Sequence, residues 1–174
     1  AFLVILLISY ALLRSVVGVL NVFIVCILSI LFAMGCGGWM GVGLTPPSAS
    51  APIIIVTLAV ADSIHLLVSA LNRMRDGHTQ RRSILYSMRV NFKPVFLTSV
   101  TTAVGFLSLN FSDSPPFHDL GNISAVGVMA AWLYSITLLP ILVSFLPLGK
   151  PKNTIKTLDA IMNRLGTFIA DHHK

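Results

Sequence analysis

Residues 50–71 read SAPIIIVTLAVADSIHLLVSAL, an almost unbroken run of apolar residues. It is long enough to cross the hydrocarbon core of a bilayer, which takes about 20 mostly apolar residues in a helix. Its only charged residue is Asp62, and His65 follows one helical turn later. The stretch therefore predicts a membrane-spanning α-helix that carries a carboxyl group inside it.

The composition of the whole chain agrees with a membrane protein. Of the 174 residues, 55% are hydrophobic and 10% are charged. An ordinary soluble domain has about 25% charged residues. The composition thus excludes a disordered chain and an ordinary soluble enzyme, and the protein is predicted not to be an enzyme.

Four more apolar stretches flank the first. We expect spans at about 1–13, 16–42, 50–71, 94–111 and 120–148, the first of them shortened at its outer end. The predicted fold is an all-α integral membrane protein, with a five-helix transmembrane bundle over residues 1–148. Because the chain opens on Ala1 within an apolar run, we expect a fragment of a longer protein.

The positive charges predict the orientation of the bundle. All 12 Lys and Arg residues fall on one side: at Arg14, between spans three and four, and after span five. The opposite loops, 43–49 and 112–119, have none. By the positive-inside rule, the basic loops and the C-terminus are cytoplasmic in an inner (plasma) membrane.

Two amphipathic segments are predicted on the cytoplasmic side. One covers about 79–92, and the other forms a helix or linker over 149–174. Both have basic residues opposite an apolar stripe, which is typical of helices that lie on the anionic leaflet. Membrane anchoring is the simpler interpretation, and a site for a calmodulin-like partner is the alternative.

Asp62 is the main candidate for a functional residue. A carboxylate inside a span costs on the order of 3 kcal/mol and is usually kept for function. Low-dielectric surroundings disfavour the charged form, which lets such a group take up a proton. Two interpretations stay open: a proton or ion site, or a protonated side chain that only bonds a neighbouring helix.

His65 and a hydroxyl cluster in span four are further candidates for a proton relay. His65 lies three residues after Asp62, and Thr98, Thr101 and Thr102 share a helix face. A histidine can relay a proton or simply pack as a neutral ring. The threonines can line a proton path or bond across helices.

Several other chemistries have no motif in the sequence. It contains no GxxxxGK[ST] phosphate loop, no HExxH or GxSxG motif and no spaced His/Cys ligand set. We therefore expect no cofactor and no metal. The clustered basic residues suit lipid headgroups, and nothing in the pattern indicates nucleic acid.

Four stretches together resemble the resistance–nodulation–division (RND) superfamily, in particular its MMPL-like and hopanoid-export-like branch, which is related to Patched and Niemann–Pick proteins. The first is ADSIHLL at 61–67, which resembles the fourth-helix motif of that family. The others are TSVTTAVGFLSL at 98–109, SDSPPF at 112–117, and the stretch from LGN at 120–122 to LLP at 138–140. The chain resembles helices two to six of one half of such a transporter.

The resemblance implies proton-driven export of a hydrophobic or lipid-like compound. In the family, acidic residues on helix four take up and release protons, with partners on helix ten, and the resemblance assigns this role in the present chain to Asp62 alone. The remaining half and the extracytoplasmic domain of the parent protein are the implied partners, together with membrane lipids. Both monomers and homo-oligomers occur among relatives. Ser63 replaces a second aspartate and Leu58 a glycine of the multidrug branch, which favours the MMPL-like branch.

Two alternatives to an exporter remain at this point. A sterol-sensing-type module of the same superfamily also has five helices, binds lipid and regulates its host protein. A relative of the protein-export RND proteins is the other. The sensor has no need for a buried titrating acid, so Asp62 separates it from the exporter.

Overall fold

The computed structural model describes residues 15–146 continuously, with residues 7, 9–11 and 13 before them. Four long helices make up the continuous part: α1 (Val16–Trp39), α2 (Ala51–Arg75), α3 (Gln80–Leu107) and α4 (Pro115–Phe145). Short 3-10 turns, Ser48–Ser50 and Ser108–Phe111, precede α2 and follow α3. Each of the four helices is long and apolar enough to cross a membrane. The described residues contain no strand, and the fold is that of an all-α membrane bundle.

Local sequence signals explain where the helices begin and turn. The backbone N–H of Gly18 donates to Oγ of Ser15, which caps α1 at 3.2 Å. Proline stands in the first turn of α2 and of α4, where its missing N–H leaves no helical bond unmade. Gly77 has φ +87°, a conformation that glycine adopts readily, and it turns the chain sharply from α2 into α3.

Helix α4 lies at the centre and contacts α1, α2 and α3. Small residues on α4 permit this close approach. A Cβ atom added at Gly127 would collide with Ile55 of α2 and meet Ala33 of α1, and one added at Gly121 would lie 2.5 Å from the carbonyl oxygen of Phe106. The buried side chains at the α1–α2–α4 contact are mostly aliphatic.

The structure corrects the prediction of a separate surface helix at about 79–92 followed by a span from Pro94. Helix α3 runs unbroken from Gln80 to Leu107, with Pro94 inside it. Proline removes one helical hydrogen bond, but membrane helices tolerate it where neighbouring groups compensate. The segment also packs on the bundle: Ser87 donates to the carbonyl of Leu66, and the Gln80 amide donates to the carbonyl of Val143 at 2.7 Å.

The other helix boundaries differ from the predicted spans by a few residues. Helix α1 ends at Trp39, before the glycines at 41 and 43; α2 continues to Arg75; and α4 begins at Pro115. The first predicted span, 1–13, lies mainly outside the described residues, although those described within it are helical. The predicted segment at 149–174 lies outside them entirely.

Candidate functional site: a buried carboxyl group between α2 and α3

Asp62 occupies the middle of α2 and points into the bundle. Its relative exposure is 8%, and Ala59, Ser63 and Leu66 are the buried residues that surround it on the helix. Residues three and four apart share a helix face, which explains why the carboxyl group lies on the packed side of α2. A charge in such a place is expensive, so its surroundings decide what Asp62 can do.

Ser99 of α3 is the hydrogen-bond partner of Asp62. Its Oγ donates to Oδ2 of Asp62 at 3.3 Å, and it also lies 2.8 Å from the carbonyl oxygen of Val95. The first distance is long for an O–H···O bond, for which about 2.7–2.8 Å is usual. Ser99 is itself 3% exposed, so this contact is sealed inside the bundle.

No described cation neutralises Asp62. Within residues 15–146, the single ion pair closer than 4.0 Å joins Arg73 to Asp76 near the end of α2. An unpaired carboxylate in a low-dielectric interior is unfavourable, whereas the protonated acid needs only a hydrogen-bond partner. The geometry therefore suits a carboxyl group that binds a proton.

A second polar contact ties the same turn of α2 to α4. Ser63 and Ser135 are both fully buried, and their Oγ atoms lie 3.2 Å apart. Asp62 thus sits beside a residue bonded to α4 while it is itself bonded to α3. Asp62 therefore lies where α2, α3 and α4 meet.

The structure places the other predicted site residues away from this contact. His65 is exposed on the outer face of α2. The hydroxyl of Thr101 donates to the carbonyl of Leu97 at 2.8 Å, and that of Thr102 donates to the carbonyl of Thr98 at 2.7 Å, both within α3. A relay role for these three residues stays a prediction.

Sequence reasoning missed Ser99, although a signal was present. The residues of α3 that face the bundle recur every four positions, and most are small: Ser83, Ser87, Val95, Ser99 and Ala103. This spacing defines one helix face, and Ser99 lies on it. The prediction chose the threonines, which lie on a neighbouring face of α3.

In the part of the chain that the structure describes, no group of three His, Cys, Asp or Glu side chains could hold a metal ion.

Comparisons with known proteins agree with this architecture. The family model described as "MMPL family" matches residues 1–171. A protein of Methanocaldococcus jannaschii named "Putative membrane protein MJ1562" is 28% identical over 117 residues, which are 67% of this chain and 30% of that protein. The chain thus matches less than a third of the length of this relative, and no solved structure matches it. Because the family model covers almost the entire chain, the chain belongs to the MMPL family of RND-type membrane transporters.

Proposed function

We propose that this chain forms part of the membrane domain of a proton-driven exporter and that Asp62 is its proton site. The observation that supports the proposal is a buried carboxyl group with a single serine hydroxyl beside it and no described counter-ion. The proton-motive force would supply the work. A potential of 100 mV is worth about 2.3 kcal/mol for each charge that crosses the membrane.

Proton exchange at Asp62 would be coupled to helix movement through its two neighbours. The ionised carboxylate accepts a hydrogen bond from Ser99, and the protonated acid has a proton of its own to donate. The contact between α2 and α3 therefore differs between the two states. Ser63, bonded to Ser135, would carry the difference to α4. Rocking of one helix bundle against another is how many secondary transporters expose a site alternately to the two sides.

A second half of the transporter would pack against the outer face of α2. Ile53, Thr57, Ala61 and His65 recur every four residues on this face and are all exposed. Small and polar side chains are typical of contacts between membrane helices. His65, together with Thr101 and Thr102 on α3, would then act across this contact rather than within the described bundle. The basic end of the bundle would face the cytoplasm.

The substrate would be a hydrophobic or lipid-like compound, and the chain would act as a transporter rather than an enzyme. The test is complementation in a strain from which the gene for the full protein has been deleted. The lipid that this deletion strain no longer exports is identified first, and its export is then measured for each variant. Asp62→Asn keeps the shape of the side chain but removes its ability to bind and release a proton, and we expect it to abolish export with normal membrane insertion. Asp76→Asn is the matched control because Asp76 is exposed outside the core, and it should restore export. Full export by Asp62→Asn would overturn the proposal.

A lipid-binding regulatory module is the second candidate, and an apolar groove favours it. The groove has a volume of about 440 Å³ and lies along α4, lined among others by Phe32, Leu107, Met129 and Trp132. Its lining is almost entirely apolar, which suits an acyl chain or a sterol-like ring system. Lipid binding that survives Asp62→Asn, in a protein that exports nothing, would favour this candidate.

A further inference from the structure

The turn between α2 and α3 forms an open basic cavity that the proton site does not use. Its volume is about 440 Å³, and its lining residues come from three successive segments. The end of α2 supplies Arg73 and the turn supplies His78. The first part of α3 supplies the other four: Arg82, Leu85, Tyr86 and Arg89.

Helix geometry presents these side chains together. Positions 82, 85, 86 and 89 lie on one face of α3 because they are separated by three or four residues. The opposite face is occupied by Ser83 and Ser87, which are buried against the bundle. Packing of that face therefore turns the basic stripe outward.

Arg73 is held over the cavity by an aromatic ring. Its guanidinium carbon lies 4.6 Å from the ring centroid of Tyr86, within the range of a cation–π interaction. The contact bridges the turn and brings a charge from α2 to the α3 stripe. The three arginines thus reach the cavity from both helices.

The charges in the cavity are unbalanced. The lining contains three arginines and no acid, and the nearby Asp76, 64% exposed, approaches only Arg73, with Oδ2 3.9 Å from its guanidinium nitrogen. Neither Arg82 nor Arg89 has a hydrogen bond or ion pair to another described residue. Guanidinium groups bind phosphate oxygens through paired N–H donors, so the two unpaired arginines are suited to a phosphate group.

Apolar side chains within the same lining indicate a lipid rather than a soluble phosphate. Leu85 is 58% exposed and Tyr86 is 44% exposed, and both lie between Arg82 and Arg89. Such surfaces suit the boundary between headgroups and acyl chains, where tyrosine is enriched. We propose that this cavity binds an anionic phospholipid, with the phosphate at Arg82 and Arg89 and the part of an acyl chain nearest the headgroup against Leu85 and Tyr86. The proposal does not depend on Asp62.

The test is native mass spectrometry of the purified full-length protein with added phosphatidylglycerol or phosphatidylcholine. We expect wild type to retain phosphatidylglycerol preferentially. Arg82→Gln/Arg89→Gln should weaken its binding by roughly 30-fold, the factor for two arginines near an anionic surface. Arg75→Gln/Arg81→Gln is the matched control, because these two arginines lie at the same end of the bundle but outside the cavity lining. It should keep the preference.

Three results would overturn the proposal. One is equal loss in both double variants, which would indicate diffuse attraction to the basic end. Another is unchanged binding in Arg82→Gln/Arg89→Gln. The third is complete displacement of the lipid by inorganic phosphate, which would assign the cavity to a soluble anion. Arg82→Lys/Arg89→Lys keeps the charges and guards against misfolding: it should retain part of the preference for phosphatidylglycerol.

Discussion

Oγ of Ser99 lies within hydrogen-bond distance of two acceptors, Oδ2 of Asp62 at 3.3 Å and the carbonyl oxygen of Val95 at 2.8 Å. A serine hydroxyl has one proton to donate, so it cannot serve both acceptors fully at once. An ionised Asp62 competes with the Val95 carbonyl for that proton. A protonated Asp62 releases Ser99 to bond its own helix. If Asp62 is the proton site, as proposed, Ser99 would act as a positioning residue whose hydrogen bond follows the proton on Asp62.

Ser99→Ala tests this relationship. A hydrogen bond to a charged group contributes about 1.5–3 kcal/mol, and the long contact here points to the lower end. We expect the export rate in the complementation assay to fall roughly tenfold, the factor for about 1.4 kcal/mol. Ser99→Thr keeps the hydroxyl and should recover part of the rate. Ser144→Ala is the control, because Ser144 is exposed and bonds only the carbonyl of Pro140. Wild-type export by Ser99→Ala would rule out the positioning role.

The apolar stretches of the four described membrane helices and the buried acid were predictable, but the partner of the acid was predictable only in part, from the four-residue spacing that places Ser99 on the packed face of α3. Runs such as residues 50–71 are long enough to predict a membrane helix whatever surrounds them. A carboxyl group within such a run points to a protein interior on energetic grounds alone. Which hydroxyl meets it depends on how α2 and α3 are rotated against each other, and this is a property of packing. Thr101 and Thr102 are as polar as Ser99, yet among the described residues they bond only their own helix, whereas Ser99 also reaches Asp62.

The unbroken course of α3 is a second feature that patterns in the local sequence did not predict. Pro94 fits the start of a helix, and the basic residues before it fit a surface helix. Both local patterns were outweighed by contacts of Ser83 and Ser87 with the bundle, which extend the helix by more than three turns before the proline. Such contacts join residues far apart in the sequence, as Ser87 and Leu66 are.

The close approach of α3 and α4 predicts a size limit at Gly121. A Cβ there would lie 2.5 Å from the carbonyl oxygen of Phe106, so Gly121→Ala must push backbone apart. We expect a loss of about 1–3 kcal/mol in the free energy of unfolding, as for other overpacked sites. Gly105→Ala is the matched control, because nothing lies within 4 Å of its added Cβ. It should be neutral or stabilising by up to about 1 kcal/mol, since alanine favours helix. Equal stability of the two variants, measured by denaturant unfolding of the full protein, would contradict the close approach.

Replacing Asn21 is predicted to stabilise the protein, in contrast to Gly121→Ala. The residue is fully buried in α1, and neither polar atom of its side chain has a hydrogen-bond partner among the described residues. An unsatisfied buried amide costs about 1–3 kcal/mol. Asn21→Leu keeps the branched shape of the side chain and replaces its two polar atoms with methyl groups, so it should raise the melting temperature of the purified protein. Asn91→Leu should lower it, because Asn91 donates to the carbonyl of Ser87 at 2.9 Å. A lower melting temperature for Asn21→Leu would mean that the amide is paired.

The distribution of charge predicts on which side of the membrane each of two exposed aspartates, Asp76 and Asp113, lies. Asp76 follows α2 at the arginine-rich end, and Asp113 precedes α4 in a segment with no Lys or Arg; both are exposed. In a cysteine-free version of the full protein, a membrane-impermeant maleimide should label Asp113→Cys in intact cells. Asp76→Cys should react only after lysis, because arginines are retained on the cytoplasmic side.

The reverse labelling pattern would contradict this orientation and would have a mechanistic consequence. Protons driven inward by the membrane potential would then enter from the basic end, past the arginines at 73, 82 and 89, and repulsion from these charges would oppose their approach. With the predicted orientation, the proposed exporter would take up protons from the end without Lys or Arg and release them toward the basic end. The labelling experiment therefore tests both the topology and the direction in which Asp62 would be loaded.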